Sequence, residues 1–190
     1  LLHLTGVKAV SPEYEVLGEP AVSLDDIRNF RQLDSRTPGH PEYRWTSGVE
    51  ATTGPLGQGV AASVGMAVAG RWMGAYFNRP GFDLFDFNVY ALTGDGCMME
   101  GVSSEAASLA GHLKLSNLCW IYDSNRITIE GSTELTFSED VATRFRGLGW
   151  FVQEIDGMDP AQIRTALDQA VAEPDRPSLI IGRTHIGYGS

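Results

Sequence analysis

Between residues 87 and 181 the chain alternates short apolar, β-prone runs with longer stretches whose apolar residues recur at helical spacing. The pattern predicts strands over residues 87–93, 118–122, 150–155 and 178–181, and helices over 98–113, 141–146 and 160–172. Strands separated by helices require crossover connections. That implies an α/β fold with a mostly parallel central sheet and helices on both faces. Ahead of this region, residues 56–77 are rich in Ala, Val and Met and predict a buried helix, whose Gly59, Gly65 and Gly70 permit close packing.

The first 55 residues are less periodic. Residues 1–6 resemble the tail of a helix closed at Gly6, and residues 8–22 predict a polar, proline-bearing loop. Ser23-Leu24-Asp25-Asp26 is a capped helix start leading towards Phe30 and Leu33. Residues 37–55 carry Pro38, Gly39, Pro41, Gly48, Gly54 and Pro55, too irregular for helix or strand, and predict a structured loop. No repeat or low-complexity segment interrupts the chain, so residues 1–190 are expected to form one domain.

Composition narrows the partners. With 190 residues, 43% hydrophobic and 20% charged, the chain suits an ordinary globular domain, one that buries roughly 70% of its unfolded surface. A net charge of −10 without a basic run argues against nucleic acid or an anionic membrane as partner. The two cysteines, Cys97 and Cys119, lack metal-type spacing and fit a reducing, cytoplasmic compartment. No apolar run approaches the ~18 residues of a membrane span. The chain opens on Leu1 without a signal peptide and stops after a glycine-rich stretch, which suggests a piece of a longer polypeptide, truncated at both ends.

The chemistry is concentrated at two strand ends. Gly94-Asp95-Gly96 follows the strand over 87–93, and Asp123-Ser124-Asn125 follows the strand over 118–122. In an open α/β sheet, strand ends are where ligand groups gather. Asp95 offers a charged oxygen and Asn125 a neutral one, and phosphate oxygens with water can complete a magnesium octahedron. The glycines leave room for a diphosphate, and the helix starting near Cys97 offers free backbone N–H groups. Alone, such residues are ordinary turn formers. Gly57-Gln58-Gly59-Val60-Ala61-Ala62 also matches a dinucleotide fingerprint, but residues 49–53 make a poor strand and Asp95 lies too far downstream for that motif.

Longer words settle the choice. TPGHPEY (residues 37–43), GVEATTGPLGQGVAASVGMA (48–67), GDGCMMEGVSSEAASLAGHLKLSNL (94–118) and THIGYGS (184–190) together resemble the transketolase family, in order and over essentially the whole chain. The resemblance is to the first half of such an enzyme, the domain that holds the diphosphate of thiamine diphosphate. It implies a divalent cation, Mg2+ or Ca2+, bound by the side chains of Asp95 and Asn125 and the carbonyl of Ile127. It places Gly96 against the diphosphate, Gly54, Pro55 and Leu56 beside the cofactor rings, and Ile129 over them. It assigns His40 to the substrate hydroxyls, and Glu100 to a buried carboxylate in a proton network linking two active sites. Ser124 departs from the Asp or Asn usual in the family.

The implied reaction moves a two-carbon ketol unit from a ketose phosphate to an aldose phosphate. It further implies a homodimer of the complete enzyme and a pyrimidine-binding domain or chain carrying the activating glutamate. This chain alone is therefore expected to be inactive. Plainer roles stand beside each assignment: core packing for Leu56 and Ile129, a satisfied loop imidazole for His40, and for Glu100 a favourable helix N-terminal charge of ~0.3–1 kcal/mol. His3, His112 and His185 receive no chemistry. Three other functions stay open: the N-terminal subunit of a split transketolase, another thiamine enzyme such as a deoxyxylulose-phosphate synthase, and a non-catalytic cofactor-binding module. The pairing of TPGHPEY with TTGPLGQG disfavours the second.

Overall fold

A computed structural model describes residues 1–189, so Ser190, the last residue of the THIGYGS word, lies outside the described residues. The chain forms two compact units, one ending at Pro55 and one beginning at Leu56.

In the first unit, residues 2–7 make a single turn rather than an α-helix. Val7 N–H donates to Leu2 O at 3.1 Å and Gly6 N–H to His3 O at 3.3 Å, the paired bonds that close a helix C-terminus. Residues 8–22 depart from the predicted loop: β1 (Lys8–Val10) and β2 (Val16–Pro20) pair antiparallel. Val10 and Val16 supply β-propensity at the paired positions, and Tyr14, with φ of 66°, makes the reversal. Helix α1 (Leu24–Arg28) starts at Ser23 with a reciprocal cap, Ser23 Oγ accepting from Asp26 N–H at 3.1 Å and Asp26 Oδ2 accepting from Ser23 N–H at 2.8 Å. It ends before Phe30, earlier than the apolar spacing suggested. The remaining loop is ordered by side chains bonding backbone groups. Thr46 Oγ1 donates to Arg36 O at 2.6 Å, Trp45 Nε1 donates to Ser35 O at 2.8 Å, and Thr52 Oγ1 accepts from Tyr43 N–H at 2.9 Å.

The second unit holds the sheet. Helix α2 (Gln58–Phe77) leads to β3 (Val89–Gly94), α3 (Asp95–Met99), α4 (Gly101–His112) and β4 (Leu118–Ser124). A short hairpin, β5 (Ile127–Thr128) with β6 (Gly131–Ser132), precedes α5 (Val141–Gly147), β7 (Phe151–Asp156), α6 (Pro160–Ala172) and β8 (Ser178–Arg183). Strands β3, β4, β8 and β7 lie in that order, and every neighbouring pair is parallel, as the alternation predicted.

One face of the sheet carries the main core. Leu118, Trp120 and Tyr122 of β4 and Leu179 and Ile181 of β8 meet Val60, Val64 and Ala67 of α2, Ala107 and Ala110 of α4, and Phe145 of α5. Spacings of three and four residues put each helical set on one stripe, and the alanines let α2 and α4 approach the sheet closely. Trp120 and Trp150 lie with ring centroids 4.8 Å apart, and Phe145 is 5.1 Å from Trp150. Both indoles are satisfied: Trp120 Nε1 donates to Ser63 Oγ and Trp150 Nε1 to Ala107 O, each at 2.9 Å. Truncating such a ring to alanine costs about 3–5 kcal/mol.

The opposite face is covered less completely than predicted. Ala166 and Ala170 of α6 pack on Cys119 and Ile180, but Tyr90 and Leu92 of β3 are exposed, Leu92 by 83%. Helix α2 is likewise buried on one stripe only, with Met66, Trp72 and Tyr76 exposed. The continuous helix expected over 98–113 is two helices that meet at Glu100, whose ψ of 138° is extended.

Candidate functional site

The carboxyl ends of β3 and β4 lie side by side because the parallel register pairs Thr93 with Tyr122 and Gly94 with Asp123. Asp95, the residue after β3, is therefore carried next to the loop that follows β4. Its carboxylate is 4% exposed and accepts two hydrogen bonds. Tyr122 Oη donates to Oδ1 at 2.6 Å, and the backbone N–H of Arg126 donates to Oδ2 at 3.0 Å. Burying a carboxylate without hydrogen-bond partners is costly, and these two bonds offset that cost. Each oxygen keeps a further lone pair with which to ligate a cation.

The second bond docks the loop onto Asp95 and brings the flanking residues Asn125 and Ile127 with it. Asn125 Oδ1 accepts from Ile127 N–H at 3.0 Å, and its Nδ2 donates towards Asp123 Oδ1 at 3.4 Å. Asp123 Oδ1 also accepts from Thr184 Oγ1, in the segment after β8. The amide is thus turned with nitrogen towards Asp123 and oxygen towards Ile127. Among the described residues no three His, Cys, Asp or Glu side chains cluster as a metal cage. Asp95 and Asn125 nevertheless offer a carboxylate and an amide oxygen, hard-oxygen donors of the kind that Mg2+ and Ca2+ take.

Beside Asp95 the backbone is bare. A methyl group built at Gly96 would come 2.8 Å from Leu56 Cδ1 and 4.0 Å from Thr128 Cγ2, so the glycine leaves a narrow cradle beneath Leu56. Leu56 itself is half exposed, which argues against a pure core role. Ile129 is more unusual: it is 96% exposed and has φ of 53°. Together with Glu130 it makes the two-residue turn between β5 and β6, with positive φ at the first position only. That position favours glycine. A β-branched residue held there is strained, and it buries almost nothing within this chain.

Glu100 is exposed within this single chain and lies at the break between α3 and α4, not one turn into a continuous helix as the sequence suggested. Its Cβ lies 2.7 Å from where a methyl group on Gly57 would sit. In the first unit, His40 is exposed and stacked over Gly54, where φ is 144° and a methyl group would come 2.5 Å from the imidazole Cγ. Gly54 is thus fixed by both conformation and space, and Pro55 follows it exposed.

An opening of about 300 Å³ lies at the strand ends, lined among others by Asp95, Tyr122, Ser124, Arg126 and Arg183. A larger groove of about 520 Å³ between β7 and α6 contains none of these groups and lies away from the strand ends, so it is not the chemical site. Arg144 of α5 joins the site's support. It donates to Ser104 Oγ at 2.8 Å and to Met98 O at 3.0 Å, and pairs with Glu139 at 2.8 Å, so it ties α5 to α3 and α4 on either side of Glu100. Burial, and the Asp95 carboxylate it bonds, hold the Tyr122 phenol well above its ordinary range. Neither Tyr122 nor Arg144 was singled out from sequence. Its alternation with Trp120 marks Tyr122 as a buried strand residue, but its bond to Asp95 depends on the sheet register.

A family profile described as the thiamine diphosphate binding domain of transketolase matches residues 13–190. The chain is 51% identical over 191 aligned residues to transketolase 1 of Escherichia coli, covering 100% of this chain and 27% of that protein. Against a transketolase of Geobacillus stearothermophilus the identity is 52%, with the same coverage. Among solved structures, a transketolase from Leishmania mexicana superposes with a TM-score of 0.86 at 49% identity, over 91% of this chain and 26% of that one. The chain thus spans about a quarter of the length of the relatives it matches.

Proposed function

The chain belongs to the transketolase family, as its thiamine diphosphate binding domain, and from that premise we propose that it supplies the diphosphate and cation half of a ketol-transferring site. The observation that carries this reading is Asp95, buried at the end of β3 and clasped by the backbone of the loop that bears Asn125 and Ile127. Asp95, Asn125 Oδ1 and the Ile127 carbonyl would hold Mg2+ or Ca2+, which neutralises the diphosphate. Gly96 lets that diphosphate reach the backbone, while Leu56 and Ile129 give the ring system an apolar cover and exclude water. In this reading Gly54 and Pro55 would also run beside the rings. When bound, thiamine diphosphate is the electron sink for breaking the C–C bond beside a ketose carbonyl.

The chain's own residues then bind and orient. His40, presented on a rigid proline-flanked loop, is a donor or acceptor for hydroxyls of a sugar phosphate. Glu100 faces outward, so its place in a proton network requires burial by a partner, in this reading a second copy of the complete enzyme. The activating glutamate comes from a pyrimidine-binding domain or chain, and residues 1–190 act together as one cofactor-binding domain in the cytoplasm. Among the described residues no helix is long and apolar enough to cross a membrane.

The test is complementation. The purified 190-residue chain, given thiamine diphosphate, Mg2+, a ketose phosphate and an aldose phosphate, is expected to transfer no ketol unit. Adding the remaining domains as a separate chain is expected to restore transfer. Turnover by this chain alone, or none after a folded partner is added, would overturn the reading.

A further inference from the structure

We propose that Tyr122 is a positioning residue for cation binding, its hydroxyl fixing the rotation of the Asp95 carboxylate so that the free lone pairs face the ion. The inference rests on the cofactor reading above and goes one step behind it, to what holds the ligand.

Three observations carry it. The bond from Tyr122 Oη to Asp95 Oδ1 is 2.6 Å long, in the range of a charge-assisted hydrogen bond, and both groups are buried. The other oxygen is held by a backbone N–H, that of Arg126, so the carboxylate is clamped at both ends and only one of the clamps is a side chain. Consecutive residues of β4 also divide the work. Tyr122 points to the α5 face and holds Asp95, while Asp123, on the opposite face, bonds the amide of Asn125. Outer partners of this kind set the orientation of metal ligands, and removing one typically weakens metal binding about 10–100-fold.

A bond that merely satisfied a buried carboxylate would affect folding and leave ion discrimination alone. Mg2+ demands near-octahedral geometry, whereas Ca2+ accepts a looser shell. Loosening Asp95 therefore penalises Mg2+ more than Ca2+. Mg2+ and Ca2+ are titrated calorimetrically into the 190-residue chain at saturating thiamine diphosphate, comparing wild type, Tyr122→Phe and Ser63→Ala. The last variant removes the buried acceptor of Trp120 between α2 and β4, leaves the Asp95 clasp intact, and controls for lost stability. Tyr122→Phe is expected to weaken Mg2+ about 10–100-fold, and Ca2+ by a smaller factor, with Ser63→Ala unchanged for both. Equal Mg2+ affinity in wild type and Tyr122→Phe, or equal losses for both ions, would overturn the inference alone. Wild type that shows no cation-dependent binding would overturn the cofactor reading beneath it.

A second measurement needs no variant. Among the described residues Tyr122 is the one buried tyrosine. In chain labelled with 3-fluorotyrosine, its 19F resonance is the one protected from a soluble relaxation agent. Adding Mg2+ with thiamine diphosphate is expected to shift that resonance, and an unmoved resonance in the loaded protein would contradict the proposal.

Discussion

Replacing Ile129 by asparagine is expected to make the protein more stable and a poorer binder of thiamine diphosphate. Ile129 has φ of 53° at the tip of the β5–β6 hairpin and is 96% exposed, so its side chain contributes almost no packing in the free chain. Left-handed backbone costs an ordinary L-residue about 1–2 kcal/mol, and asparagine tolerates it far better because its short amide bonds locally. Substitution therefore recovers roughly 1 kcal/mol or somewhat more, with no cavity to offset it. For a domain of this size that corresponds to a rise in Tm of about 2–4 °C per kcal/mol, read by scanning calorimetry. On the ligand side, covering an isoleucine side chain is worth about 1.5–3 kcal/mol, or roughly a ten- to hundredfold loss of affinity on removal. Isothermal titration with thiamine diphosphate and Mg2+ measures that loss. A lower Tm would refute the strain argument, and unchanged affinity would refute the ligand role.

Gly96→Ala places a methyl group 2.8 Å from Leu56 Cδ1 in the cradle, while the helical backbone of α3 tolerates alanine. Stability is expected to change by less than about 1 kcal/mol, because gained helix propensity offsets the displacement of a half-exposed leucine. Binding of thiamine diphosphate, followed by tryptophan fluorescence, is expected to fall at least about tenfold, a change of 1.4 kcal/mol. At high pH the protein is expected to weaken through Cys119, whose thiol burial pushes up to about 12. Below pH ~8 both folded and unfolded thiols are protonated and nothing changes. Between about pH 9 and 12 only the unfolded chain loses the proton, so stability falls, by about 1.5–2 kcal/mol at pH 10. Urea unfolding at pH 7.5 and 10 is expected to show this loss in wild type and a smaller one in Cys119→Ala.

The periodic half of the molecule was legible from its letters. Strands β3, β4, β7 and β8 and helices α2, α5 and α6 follow from runs of β-prone residues alternating with helical spacing, and the parallel direction of the strands, though not their order, follows from the crossovers. The β1–β2 hairpin was not legible, because Pro12, Gly18 and Pro20 mask two short strands that alternate poorly. The break at Glu100 was also hidden. Met98 and Met99 before it are helix formers and the helical spacing resumes after Gly101, while the packing seen at the break, Glu100 against Gly57 and Arg144 on Met98 O, belongs to the folded chain.

At the site, Asp95 and Asn125 were singled out by the longer words around them, since glycine, aspartate and asparagine at strand ends are by themselves ordinary turn residues. Tyr122 stayed silent, since its partner is set by the register that pairs Thr93 with Tyr122, a property of the folded sheet rather than of either strand. Ile129 could be named but not understood from sequence. Its positive φ is visible only once Ile127 pairs with Ser132 across a two-residue turn.

Crystals grown with thiamine diphosphate and Mn2+ in place of Mg2+ would locate the ion through its anomalous signal. One strong peak is expected, bonded to a carboxylate oxygen of Asp95, Asn125 Oδ1, the Ile127 carbonyl and two diphosphate oxygens, at about 2.0–2.2 Å. An ion bound elsewhere, or a diphosphate held with no ion against Asp95, would contradict it.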